Sequence, residues 1–259
     1  MKRKIFWKST FLAPILVLTG LSTRADEAPQ NSIRPFQFGI STSANLNWVN
    51  PTQGVIESNG SSLGYGVGIF GDVNLSKNNA NYMLSIELVS SVVYNKIKLD
   101  DSETYTRPQS NNTYSNISYR YRTNFFEIPI SLKLKTNEIG YYTWFAQVGV
   151  TPSFLYSTSA DLEYEDSNGQ SISKDKIRNN RKDFEEFQFD QFSHKIHFGR
   201  FGILMAVGGE YRFSGNTAVF ASLRLNNGLT NIFNAKNESD LPSPRGNNNF
   251  VSLNVGVLF

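Results

Sequence analysis

The stretch that decides the fold is Phe36-Gln-Phe-Gly-Ile-Ser-Thr-Ser-Ala-Asn-Leu-Asn-Trp48. Phe36, Phe38, Ile40, Thr42, Ala44, Leu46 and Trp48 alternate with Gln37, Gly39, Ser41, Ser43, Asn45 and Asn47. A period of two belongs to a strand, and its two faces suit two different surroundings, one greasy and one lined by small polar groups.

The pattern recurs seven more times. Leu63, Tyr65, Val67, Ile69 and Val73 stand against Gly64, Gly66, Gly68 and Asp72; Tyr82, Leu84, Ile86, Leu88 and Val92 stand against Ser85, Glu87 and Ser91. A fourth strand, about Ile117 to Lys135, carries Ile117, Tyr119, Tyr121 and Phe125 on one face. Ile128, Ile130, Leu132 and Leu134 follow after a one-residue change of phase near Phe126, the mark of a β-bulge. The fifth runs from Tyr142 to Tyr156 with Pro152 as a local irregularity. The sixth holds Phe201, Ile203, Met205, Val207, Tyr211 and Phe213; the seventh Val219, Ala221, Leu223 and Leu225; the eighth Val251, Leu253, Val255, Val257 and Phe259.

Connection lengths alternate too. Lys77–Asn81, Thr136–Gly140 and Ser214–Asn216 are tight and rich in Asn and Gly, whereas Asn50–Ser61, Asn95–Asn116, Ser157–Ser193 and Asn227–Asn248 are long and polar. The prediction is an all-β fold: an eight-stranded antiparallel transmembrane up-and-down β-barrel with short periplasmic turns and long extracellular loops. From Phe36 to Trp48, at about 3.3 Å per residue and roughly 40° of tilt, a strand climbs on the order of 30 Å, the height of a girdled apolar belt. Phe36, Tyr82, Tyr142, Trp144, Tyr211, Phe213 and Phe259 form the expected turn-side girdle, and Trp48, Tyr65, Tyr94, Tyr121 and Tyr156 the loop-side one. A soluble sandwich or lipocalin-like barrel also alternates, with its greasy face inside. The glycines on the polar face and the aromatics at both ends of the apolar belt favour the membrane barrel.

Composition sets the outer bounds. The chain has 259 residues, 39% apolar and 18% charged, and no cysteine, which excludes disulfide scaffolds and low-complexity architectures. Beyond residue 20 no apolar run reaches the roughly 18 residues of a membrane-spanning helix. The net charge of +3 is concentrated at the N-terminus. Lys2, Arg3, Lys4 and Lys8 precede the apolar run Phe11–Leu18, and small residues lead to Ala25, so residues 1–25 read as a cleaved secretory signal peptide. Its 5 positive charges, Arg24 included, taken from 25 leave 20 basic against 22 acidic side chains. The mature chain is slightly acidic, and nucleic acid is not an expected partner. Residues 26–34 form a short periplasmic leader and 35–259 the barrel domain.

Asn124-Phe-Phe-Glu-Ile-Pro-Ile-Ser-Leu-Lys133, then Tyr142-Thr-Trp-Phe-Ala-Gln-Val-Gly149, with Asn227–Asn231 and the terminal Phe259, resembles the PorT-like family of small outer-membrane barrels of the Bacteroidota. The resemblance covers the chain from Phe36 onward and implies an outer-membrane barrel. Through the family's named member it also implies a link to type IX secretion. Fold and location transfer more readily than role.

An eight-stranded lumen is just wide enough for side chains, so charges on its face must pair. Glu87, Glu127 and Glu210 against Lys133, Arg200 and Arg224 are expected to form a structural plug rather than an ion path. His194 and His197, three apart in a strand, point to opposite faces and share no metal. No nucleophile–base set stands out, so neither catalysis nor a cofactor is expected. The acidic side chains of Ser157–Ser193 suit either divalent cations or solvent. Phe184, Phe187, Phe189 and Phe192 in that loop are candidates for a partner contact or a cover over the barrel mouth. Phe259 is the expected signal to the outer-membrane insertion machinery. Other expected partners are outer-membrane lipid, lipopolysaccharide and envelope proteins. The functional expectation is a structural or accessory barrel in the envelope or an export assembly. A narrow gated channel or a ligand- or adhesion-binding barrel is the alternative.

Overall fold

In the computed structural model, which describes residues 35–52, 56–99, 105–106, 113–165, 168–178, 196–233 and 245–259, the alternating segments form one antiparallel system. Its segments are β1 (Phe36–Pro51), β2 (Ile56–Ser58), β3 (Ser62–Asn74), β4 (Tyr82–Leu99), β5 (Tyr105–Thr106), β6 (Thr113–Glu127), β7 (Ile130–Lys135), β8 (Tyr142–Glu165), β9 (Ser171–Arg178), β10 (Gly199–Ser214), β11 (Thr217–Gly228) and β12 (Gly246–Leu258). The path runs from β1 through β3, β4, β6 with β7, β8, β10 and β11 to β12. β12 returns to β1 in continuous register from Gly39↔Leu258 to Pro51↔Gly246. With β6 and β7 as two halves of one strand, eight strands close a ring, the only sheet that leaves no open edge in hydrocarbon.

The greasy face points outward. Val67 is 57% exposed and Val207 61%, while Asn47 and Asp72 on the opposite face are fully buried. In water that apolar surface would be far larger than a soluble monomer tolerates, and in lipid it is the required exterior. The soluble reading, with its greasy core, is therefore set aside. Phe36, Tyr82, Tyr142, Trp144, Tyr211, Phe213 and Phe259 are all exposed at the turn end. The turns there are tight, with Gly140 and Gly215 at φ +66 and +47, a left-handed backbone that glycine adopts without strain.

Three expectations need correction. The fourth strand does not change phase at Phe126: Tyr121, Thr123, Phe125, Glu127, Ser131 and Lys133 are all buried odd-numbered positions, and Phe126, Ile130, Leu132 and Leu134 are all exposed even ones. What changes is the polarity of the lumen, which turns apolar toward the loop end, so Tyr121 lies inside and not in the girdle. The bulge lies on the neighbouring strand instead, where Asn124 pairs Ser157 but Phe125 pairs Leu155.

The interruption of the fourth strand comes at Pro129, which has no N–H to donate. Glu127 pairs Ser153 and Ile130 pairs Val150, and across the gap between these pairs Ile128 N–H donates to the carbonyl of Pro152 at 2.9 Å.

The long connections are also shorter than their polarity suggests. β4, β6 and β8 continue beyond the belt to Leu99, from Thr113 and to Glu165, and β2 and β9 add to their sides. From Tyr156 to Glu165 the strand runs about 30 Å, roughly 20 Å of height after tilt. On the other side β10, β11 and β12 end at Gly199, Gly228 and Gly246. The result is a sheet projecting from one side of the barrel, ordered β2, β4, β6, β8, β9.

Candidate functional site

Strand pairing turns the polar faces of all eight strands into one lumen, and its contents can be followed from the turn end upward. At the turn end Lys133 Nζ donates to Asp72 Oδ2 at 2.8 Å and pairs with Glu210 Oε1 at 2.7 Å. Lys135 Nζ donates to Glu210 Oε2 at 2.9 Å and to Gln37 Oε1 at 3.0 Å. These groups come from β1, β3, β7 and β10, so one cluster ties half of the ring together.

Above it lie three inward phenylalanines. Phe70 and Phe220 meet edge to face at 5.4 Å, Phe145 and Phe220 at 6.5 Å, and the Lys133 ammonium sits 4.5 Å from the Phe145 ring. Their rings need bare backbone opposite. A Cβ on Gly208 would come within 2.6 Å of both the Phe145 ring and Ser222 Cβ.

At mid-height Arg224 of β11 donates to Glu87 of β4. Next, Arg200 Nη2 donates to Glu127 Oε1 at 2.8 Å, and that same oxygen accepts from Ser91 at 2.7 Å. The Arg200 guanidinium lies between the rings of Phe125 and Phe250, 4.8 and 5.4 Å from their centroids. With its amide oxygen toward Arg200, Asn248 accepts from Nη1 at 2.6 Å and donates to Asn95 Oδ1 at 3.0 Å.

Thus Glu87, Glu127, Glu210, Lys133, Arg200 and Arg224 are all in the lumen and all in ion pairs. Sequence reasoning missed Asp72 and Lys135, which complete the set. Asp72 is, in the sequence, one more polar alternate, and Lys135 sits at a strand end where face assignment is weakest. Four carboxylates then meet four cations. Such pairs hold a buried lumen neutral and stabilise it little beyond apolar packing, but either partner left alone is a heavy cost.

The loop end is sealed by apolar groups. Ile196 bridges Phe233, His197 N–H donates to the Ile232 carbonyl at 2.9 Å, and Ile232 N–H donates to the Gly246 carbonyl at 2.9 Å. Asn231 holds this cover: Oδ1 accepts from Gly246 N–H at 2.9 Å and Phe233 N–H at 3.2 Å, and Nδ2 donates to the Phe233 carbonyl at 2.7 Å. Phe233 meets Tyr121 at 6.4 Å. Val49, Tyr121, Phe125, Ile196, Ile232 and Phe233 surround a void of about 10 Å³, and the one beside Glu87, Lys133 and Arg224 is about 20 Å³. Neither exceeds room for about one water.

At the seam of the ring Phe259 packs on Phe38 at 5.5 Å, and the two exchange backbone hydrogen bonds of 2.8 and 3.4 Å. His197 is half-buried beside the cover. His194, the signal and leader residues 1–34, and Phe184, Phe187, Phe189 and Phe192 lie outside the described residues. Among the described residues no three metal-ligating side chains gather.

The model of the outer membrane protein β-barrel domain family matches residues 24–234. The match does not single out the PorT-like grouping. Among solved structures the chain is similar to Neisserial surface protein A (12% identity, TM-score 0.41, covering 85% of this chain and 95% of that one). It is similar also to Ail, the attachment invasion locus protein of Yersinia pestis (11%, 0.32, 87% and 100%), and to the N-terminal β-barrel domain of Pseudomonas aeruginosa OprF (12%, 0.30, 85% and 97%). No curated protein matches the chain.

Proposed function

Because the chain belongs to the outer membrane protein β-barrel domain family, we propose that it works as a non-conducting outer-membrane barrel, without catalysis, that holds a contact surface outside the membrane. The observation that carries this reading is the contrast between the two parts of the molecule. The lumen is closed by ion pairs, aromatic rings and an apolar cover, whereas three barrel strands run on beyond the belt and are widened by β2 and β9. Length that exceeds the membrane serves nothing in the bilayer; it builds area for envelope or surface contacts. Binding of a protein or surface ligand there, with the barrel as anchor, is the role that uses both parts.

Affinity purification in mild detergent tests it, with the full chain and with the β8–β9 projection shortened between Ser159 and Arg178, which pair with each other. Partners lost on shortening support the reading. Partners retained, or none with either chain, overturn it. The export branch rests on the resemblance at Asn124–Lys133 alone, and unchanged secretion of type IX cargo after loss of the gene removes it.

A further inference from the structure

On the outer wall, where β4 and β6 leave the belt, the cross-strand pairs are Tyr94↔Arg122, Lys96↔Arg120 and Lys98↔Ser118. Val93, Asn95 and Ile97 between them are buried in the lumen, so the cations face outward; Arg120 and Arg122 are exposed, and Lys96 and Lys98 half-buried. The same wall carries the loop-side aromatics just below: the tilted rings of Phe126 and Tyr156 meet at 4.6 Å, and the Tyr156 hydroxyl meets Ser90 Oγ at 3.2 Å. Arg122 lies 5.9 Å over the Tyr94 ring, the joint between belt and cations. Acidic residues paired across from the ladder are three against its four cations: Glu57 stands across from Lys98, Asp161 from Arg120 and Glu163 from Ser118.

We infer that this ladder, Lys96, Arg120 and Arg122 above all, is a binding site for the anionic phosphate headgroups of outer-leaflet lipid. Two features select a lipid over solvent. The cations continue the lipid-facing wall within about 5 to 10 Å of its aromatic edge, the height at which headgroups begin and at which Lys and Arg stems lie on apolar surface with their charges in the interface. The arrangement is also one-sided. At the turn end the described cation outside the lumen is Lys77, in the connecting turn; Arg212 lies on the lumen face of β10, where Glu138 engages it at 3.2 Å.

The mature chain is reconstituted in phosphatidylcholine bilayers containing phosphatidylglycerol, transferred to detergent, and its retained lipids are counted by native mass spectrometry. The wild type is expected to retain phosphatidylglycerol over phosphatidylcholine, with retention falling as salt is raised. The triple variant Lys96→Gln/Arg120→Gln/Arg122→Gln is expected to lose that preference by about tenfold, and Lys77→Gln to keep it. No preference in the wild type, undiminished retention in the triple variant, or equal loss in Lys77→Gln overturns the site. If the triple variant does not assemble, Arg122→Gln and Lys96→Gln singly carry the same test. The inference rests on the membrane location in the reading above, which heat-modifiable migration of the same samples reports separately.

Discussion

Arg224 and Glu87 lie on strands four places apart in a ring of eight, so they are diametrically opposed, and their side chains nevertheless meet in an ion pair in the lumen. A pair that spans the full diameter obstructs the lumen by itself. It also couples β4 and β11, which share no backbone hydrogen bond. Glu87→Ala leaves Arg224 buried without its partner and is expected to destabilise the barrel by about 3–5 kcal/mol. The exchange Glu87→Arg/Arg224→Glu should recover much of this. Urea unfolding in lipid vesicles, followed by tryptophan emission, measures both.

Gly208 is, with Gly39 and Gly256, a position where the aromatic layer leaves no room for a side chain. Gly208→Ala sets a methyl group against the Phe145 ring and Ser222, and overpacking of that kind is expected to cost about 1–3 kcal/mol. Adding Phe145→Leu to the same chain should relieve the part that falls on the ring, while the contacts with the Ala221 carbonyl at 2.5 Å and with Ser222 remain. A Gly208→Ala barrel as stable as the parent would contradict the packing described for this layer.

Phe259 and Phe38 close the seam between the last and first strands. If Phe259 serves the insertion machinery, its deletion slows assembly into the membrane severalfold, while Phe38→Ala, which removes the same ring contact, assembles at the parental rate and unfolds more easily. Pulse-chase assembly assays separate the two roles, and equal behaviour of the two variants reduces Phe259 to a girdle residue.

Asn231 makes three hydrogen bonds that fold the cover over the loop end. Asn231→Ala removes all three, each contributing about 1 kcal/mol, and should loosen the cover without unfolding the barrel. Hydrogen exchange at the Ile232 and Gly246 amides is expected to accelerate, with amides of β1 and of the rest of β12 unchanged. Protection at Ile232 and Gly246 equal to the parent's would show that the bridge between Ile196 and Phe233 suffices.

The barrel was legible because hydrocarbon outside and polar groups inside impose a period of two on every strand. Legibility failed wherever one of those two media changed. Tyr121 and Phe125 are apolar residues on the lumen face, because the top of the lumen is sealed by greasy contacts; alternation alone therefore suggested a phase slip that the backbone does not make. Beyond Tyr156 both faces of β8 lie outside the hydrocarbon, the apolar alternation weakens, and strand became indistinguishable from loop. Inward charges such as Glu87 and Arg224 could be recognised by face and sign, but which charge meets which depends on pairing around the ring. That is why Asp72 and Lys135, both partners in the turn-end cluster, carried no signal of their own. The cover formed by Ile196, Ile232 and Phe233 comes from two distant segments, so no local pattern announces it.

Single-channel recording of the purified barrel in planar bilayers tests the closed lumen most directly. The arrangement of four acidic and four basic side chains, the phenylalanine layer and the apolar cover predicts a baseline without porin-like steps, for the wild type and for Asn231→Ala alike. Stable, ohmic steps in the wild type that Arg224→Ala enlarges would show an open path through the middle of the barrel, and would contradict the account at its centre.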